Sequence, residues 1–157
     1  TAYAAKFEAS TIDYCYILLG WNMSTKTEEE IKASARTFID NLLADFPDCK
    51  ITLLGLEIPS LDGCGVNYGC SWNWFEKARY VFDLNDWYAE IAEEYDNVNF
   101  VNVAGQFDTE NNMITGTRQV NVRNTKTETY QTNGVHPDIS GYNQIADAVF
   151  RHLNSIL

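Results

Sequence analysis

"IDYCYILLG", residues 12–20, contains one charged side chain, Asp13, and closes on glycine. A near-continuous apolar run of this kind reads as a strand buried on both faces of a parallel sheet. The segment after it supports that choice. "STKTEEEIKASARTFIDNLLADFP", residues 24–47, carries Thr27 with Glu30 three positions later, the pattern of a capping box. Apolar residues then recur at Ile31, Ala35, Phe38, Ile39, Leu42, Leu43 and Phe46, and Pro47 ends the pattern. The spacing predicts a helix.

The alternation continues outward. "KITLLGLEIPS", residues 50–60, is a second apolar strand closed by Pro59, and a loop rich in Gly, Cys and Trp runs from Leu61 to about Asn73. Trp74, Ala78, Val81, Leu84, Tyr88 and Ile91 repeat at helical spacing up to about Tyr95. "VNFVNVAG", residues 98–105, is a third strand, and "MITGTRQVNVR", residues 113–123, reads as a short hairpin or irregular insertion around Thr115 and Gly116. A last helix carries Tyr142, Ile145, Ala146, Val149, Phe150 and Leu153 on one face. Strands alternating with helices predict an α/β fold, with Ile12–Gly20, Lys50–Glu57 and Val98–Val103 parallel in that order and helices on both faces. No repeat or linker interrupts residues 1–157, so one domain is expected.

Composition narrows the partners. Eleven basic against 22 acidic residues leave a formal charge of −11, which repels nucleic acid and anionic lipid. No apolar run reaches transmembrane length, and no basic-then-apolar leader opens the chain. Cys15 sits in an apolar run and is expected as a buried thiol. Cys64 and Cys70 bracket "CGVNYGC", a spacing open to a disulfide in an oxidising compartment or to two free thiols. Without a neighbouring histidine it is a poor metal signal, and two histidines in the whole chain imply no catalytic metal. No organic cofactor is implied either, because no glycine-rich phosphate loop follows a strand.

Ligands of open parallel sheets bind beyond the carboxyl ends of the strands. Three stretches occupy that rim: "GWNMS" (20–24), "IPSLDGCGVNYGCSWNW" (58–74) and "TNGVHP" (132–137). Asn22 either turns the chain toward the helix or donates its amide to a developing oxyanion. His136, held extended by Pro137, is either a surface loop residue or a proton-transfer group working near neutrality. Asp138 and Ser140 are candidate caps for the last helix. His152, near the end of that helix, reads as structural, a cation favoured by the macrodipole.

"YILLGWN" and "NGVHPDISGYNQIADAVF" together resemble the SGNH (GDSL-type) hydrolases, in order, in strand–helix context and in their separation of over a hundred residues. The resemblance covers essentially the whole chain, as the family's second half. It implies a three-layer α/β/α fold, of flavodoxin-like type, that lacks its first strands here. By resemblance, Asn22 matches the oxyanion-hole asparagine and His136 the general base. The family's acid stands three residues before the histidine, where this chain has Asn133. An asparagine orients a ring by hydrogen bonding but supplies no negative charge to an imidazolium. The Gly-Asp-Ser nucleophile block and the oxyanion-hole glycine block are absent from these residues. The expectation is therefore a serine supplied from outside the chain, with the Ile12–Gly20 edge covered by a missing N-terminal segment or by a second copy. The implied activity is acyl transfer on O-acetyl or other esters of carbohydrate, with Trp21, Tyr68 and Trp72 placed to contact sugar. Trp74 is open to the same role or to anchoring its helix. The cadence "TNGVHP…GY.QIAD" is similar to SGNH domains of bacteriophage tail and Gram-positive bacterial proteins, implying an extracellular or virion-associated site of action. The alternative is a degenerate SGNH domain that binds glycan, or serves as a structural module, without turnover.

Overall fold

Three parallel strands form in the expected order in the computed structural model, which describes residues 12–61 and 74–157. Strand β1 (Tyr14–Ile17) pairs with β2 (Lys50–Leu54), and β2 with β3 (Val98–Val101). The register sets Cys15 opposite Ile51, and Leu53 opposite Phe100. Helix α1 (Glu28–Asp45) joins the first pair and α2 (Trp74–Ala92) lies between the second and third strands. The architecture is α/β with a parallel sheet.

The chain divides into two compact units, residues 1–56 with 83–102 and residues 57–82 with 103–157. The first holds the parallel sheet. Central strand β2 is buried from Ile51 to Leu54, and Ile31, Ile39, Leu84 and Ile91 are fully buried with it. Strand β1 departs from the sequence expectation, because Tyr14, Cys15 and Tyr16 are only half-buried. The reason is its place at the end of the strand order, where among the described residues β1 pairs with β2 alone. Beside it, Tyr14, Tyr16, Phe38, Leu42 and Phe46 line a groove of about 440 Å³. The capping box of α1 is present, with Thr27 Oγ1 accepting from Glu30 N–H and the Glu30 carboxylate accepting from Thr27 N–H at 3.0 Å. The two helices run side by side, since Lys32 pairs with Glu90 and Arg36 forks onto Glu94 at 2.6 and 2.7 Å. Two crossovers of one hand stepping in one direction produce that neighbourhood.

The second unit carries the antiparallel hairpin β4 (Thr115–Asn121) and β5 (Asn124–Gln131), and the last helix α3 (Ile139–Ile156). Of the short hairpin or irregular insertion that the sequence suggests around Thr115 and Gly116, the structure forms the hairpin, longer than expected and with its turn at Val122 and Arg123, where Asn121 Oδ1 accepts from the N–H groups of Arg123 and Asn124. Both strands are mostly exposed and polar, so neither shows the apolar alternation that marks a half-buried strand. What holds them in the extended form is their threonine content and the cross-strand pairs, such as Arg118 with Glu128 at 2.8 Å. On α3, Gly141, Ile145 and Ala148 are buried, whereas Tyr142 and Phe150 of the expected apolar face are exposed.

Candidate functional site

Asn22 belongs to the first unit. It sits in a 3-10 turn, Trp21–Met23, reached three residues after β1 ends. Gly20 makes this turn possible. Its φ of 138° is disfavoured for any residue with a side chain, and a Cβ there would lie 2.4 Å from Leu84 Cδ2. Met23 N–H then closes on Gly20 C=O at 2.8 Å, and the phenol of Tyr88 donates to Leu19 C=O at 3.2 Å. Burial pushes the Tyr88 phenol up to about 12, so it stays a donor at any physiological pH. The product is a pinned turn that leaves the Asn22 side chain exposed, with Trp21 half-buried beside it. Ser24 closes this turn, and the cap of α1 is Thr27.

His136 belongs to the second unit. The turn that carries it is built by Asn133, whose Oδ1 accepts from Val135 N–H at 3.0 Å and from His136 N–H at 2.9 Å. Asn133 therefore fixes the backbone under the histidine. A side-chain oxygen bonding two following N–H groups is the local chemistry that asparagine and aspartate share. The turn is tied down on both sides. Gly134 C=O accepts from Ser60 N–H at 2.9 Å, and Pro137 forms an antiparallel bridge with Met113. His136 is left half-buried between buried Val135 and Pro137.

Helix α3 starts immediately afterwards. Asp138 is its cap, accepting from Gly141 N–H at 3.0 Å. Hydrogen bonds from the Ser140 hydroxyl and the Gly141 N–H hold the Asp138 carboxyl below the usual carboxylate range. That carboxylate is thus committed to the helix end. Gly141 is required by close approach, since a Cβ there would lie 2.6 Å from both Asn112 C=O and Pro137 Cβ. At the other end of the chain's histidine inventory, burial holds His152 below its ordinary value, which favours the neutral ring over the expected cation. The serine hydroxyls near these elements are engaged: Ser60 with Gln131, Ser140 with Asn112 and Asp138, and Ser155 with His152 C=O. Among the described residues no group of three His, Cys, Asp or Glu side chains is arranged to hold a metal. Tyr68, Trp72, Cys64 and Cys70 lie outside the described residues.

A family model for GDSL-like lipases and acylhydrolases matches residues 7–149. The chain belongs to that family. A solved structure from Streptococcus pneumonia, provisionally described as a platelet activating factor, is similar to this GDSL-like chain with a TM-score of 0.68 and 21% identity. The match covers 90% of this chain and 60% of that one, so the chain spans less than two thirds of its neighbour's length. At that identity the likeness establishes the fold. No curated protein matches the chain.

One feature of the second unit escaped the sequence reading. Ile58, Pro59, Trp74, Glu110, Thr115 and Thr129 help line a cleft of about 590 Å³. Its only trace in the sequence is the threonine repeated at every second position in "TKTET", which marks a polar strand face rather than a loop.

Proposed function

We propose that this GDSL-like chain is part of a serine esterase acting on O-acetyl or other short acyl esters of carbohydrate. In this reading a serine outside these residues attacks the ester carbonyl while His136 takes its proton. The exposed Asn22 amide donates to the oxyanion of the tetrahedral intermediate. Collapse expels the sugar alcohol, which receives the proton from His136, and leaves an acyl-serine. Water then attacks that ester by the same proton route and releases the acid. Neither step involves a metal or organic cofactor.

The observation that carries the reading is the turn from Asn133 to Pro137. Two hydrogen bonds to one asparagine oxygen, one bond from Ser60 and a bridge to Met113 fix the backbone of a single half-buried histidine at a helix entrance. Such investment suits a base that must meet a nucleophile in one orientation. The absence of a Gly-Asp-Ser block from the sequence supports an external serine. The half-exposed β1 strand and its apolar groove support a pairing segment at that edge, with a second copy as the competing occupant. A non-catalytic glycan-binding module is the second reading, and Asn133 in place of the acid favours it.

Turnover of 4-nitrophenyl acetate, with a serine-directed fluorophosphonate as a second probe, tests the proposal. A full-length form carrying a Gly-Asp-Ser block should hydrolyse the ester and label, and His136→Ala should abolish turnover. The 157-residue chain should do neither. Labelling of this chain at one of its own serines refutes the external nucleophile, and an inert full-length form selects the binding module.

A further inference from the structure

The cleft of the second unit has two unlike walls. One is apolar, formed by Ile58, Pro59, Leu61 and Trp74. The Trp74 indole N–H donates to Pro59 C=O at 2.7 Å, so the ring is held at its edge and does not swing. The other wall is polar. Thr115 pairs with Gln131, and Thr117 with Thr129, so the side chains of residues 115, 129 and 131 share one face of the hairpin. Glu110 and Asn111 stand at the rim, both exposed.

Gln131 ties these pieces together. Its amide nitrogen donates to Thr109 C=O at 2.9 Å and to Glu110 C=O at 2.7 Å, and its amide oxygen meets the Ser60 hydroxyl. With both donor hydrogens and the oxygen engaged, Gln131 is a scaffold group, and the polar side chains that line the cleft include Thr115, Thr129, Tyr130, Glu110 and Asn111, the last also donating its amide to Asp108 at 3.0 Å. The same scaffold continues into the histidine turn. Two residues after Gln131 comes Asn133, which bonds His136 N–H, and Ser60 N–H bonds Gly134 C=O.

We propose that this cleft is the subsite for an uncharged sugar ring of the acylated substrate. The proposal rests on the esterase reading for the reaction, and on the cleft alone for the ligand. A pyranose presents C–H bonds on its faces and hydroxyls around its edge, which matches a fixed indole and aliphatic wall facing threonine hydroxyls, a carboxylate and a carboxamide. A fatty acyl chain would desolvate those polar groups without pairing them, at a cost for each. An anionic ligand meets Glu110 and the −11 charge of the chain, with no lysine or arginine among the described lining residues. The volume is in the range of small-ligand pockets.

The test uses the whole chain on an array of neutral and acidic oligosaccharides, followed by titration of whatever it retains. Neutral oligosaccharides should be retained and sulfated or uronate-rich ones should not. The double variant Thr115→Val, Thr129→Val keeps β-branched residues on the strands and should weaken retention at least about ten-fold, the loss of one good hydrogen bond or more. Thr127→Val, on the same strand face but outside the cleft, should not weaken it. Retention of no neutral glycan, a preference for acidic ones, or binding undiminished in the double variant each overturns the subsite. In a full-length form, the double variant should lower kcat/KM for an acetylated form of the retained glycan at least about ten-fold relative to 4-nitrophenyl acetate. A change in the octanoate-to-acetate preference instead would assign the cleft to the acyl chain and overturn the proposal. Failure to hydrolyse 4-nitrophenyl acetate at all sinks the esterase reading, while the array decides the subsite independently.

Discussion

Gly141→Ala sets two known effects against each other at the entrance to α3. Alanine is the better helix residue, by about 1 kcal/mol in a helix interior. Against that, the new methyl group would lie 2.6 Å from Asn112 C=O, 2.6 Å from Pro137 Cβ and 2.9 Å from Phe107 Cε2. Two of these neighbours cannot step aside cheaply. The Asn112 carbonyl accepts from Asp138 N–H at 3.0 Å, and Pro137 is a buried ring bridged to Met113. Overpacking of one methylene against rigid surroundings costs about 1–3 kcal/mol, and three simultaneous clashes place this site near 3. The net expectation is a loss of about 2 kcal/mol, a sizeable part of a stability of about 5–15. For a chain of this size that lowers Tm by about 4–8 °C. Thermal and urea unfolding followed by far-ultraviolet circular dichroism measure it. Asn143→Ala, exposed on the same helix, isolates propensity and should raise stability by up to about 0.7 kcal/mol. If Gly141→Ala instead behaves like that control, the close approach of α3 to the Asn112–Pro137 segment is not what demands glycine, and the reasoning fails.

Asn22→Ala in a full-length esterase should lower kcat for an aryl acetate about 10²–10³-fold with KM little changed, as for loss of one oxyanion donor; a loss confined to KM would make Asn22 a binding residue. Asn133→Ala removes the acceptor for two backbone N–H groups and should lower kcat/KM at least about ten-fold, whereas Asn133→Asp keeps that acceptor, adds a negative charge to the histidine turn, and should hold or raise it. An aspartate variant as poor as alanine would show that the amide N–H groups are what matter. Arg36 holds the Glu94 carboxyl below its usual range, and the bonds of Thr27, Asn111 and Ser140 do the same for Glu30, Asp108 and Asp138. Folded values below unfolded ones mean that this stabilisation is complete only above about pH 5, past the unfolded values, and is lost as pH falls through the folded values. Glu94→Gln should flatten that acid limb by less than about 1 kcal/mol, because the pair is exposed; Tm against pH from 2 to 7 with an unchanged slope would remove the Arg36–Glu94 pair from the acid response.

Sequence by itself determined the alternation of apolar strands and amphipathic helices, and with it the parallel sheet and the order of its strands. Those follow from local rules: the strand period, the helix period, the Thr27–Glu30 cap and the proline after α1 act within a few residues of one another. The candidates Asn22 and His136 were readable for the same reason, since each sits where a strand or turn gives way to a helix. Tertiary structure alone decided the rest. It made Gly20 and Gly141 obligatory, because Leu84 approaches the first, and Asn112 and Phe107 the second, from other parts of the chain. It turned Asn133 from a missing acid into the residue that shapes the histidine turn, which depends on where two later N–H groups point. It also placed the hairpin turn at Val122 and Arg123 and opened the cleft behind Gln131. A polar strand announces no buried face, and Ser60, Thr109 and Gln131 are separated by up to 71 residues. Local periodicity records which face of an element is buried, whereas a site made by side chains from distant segments exists only once the chain has closed around it.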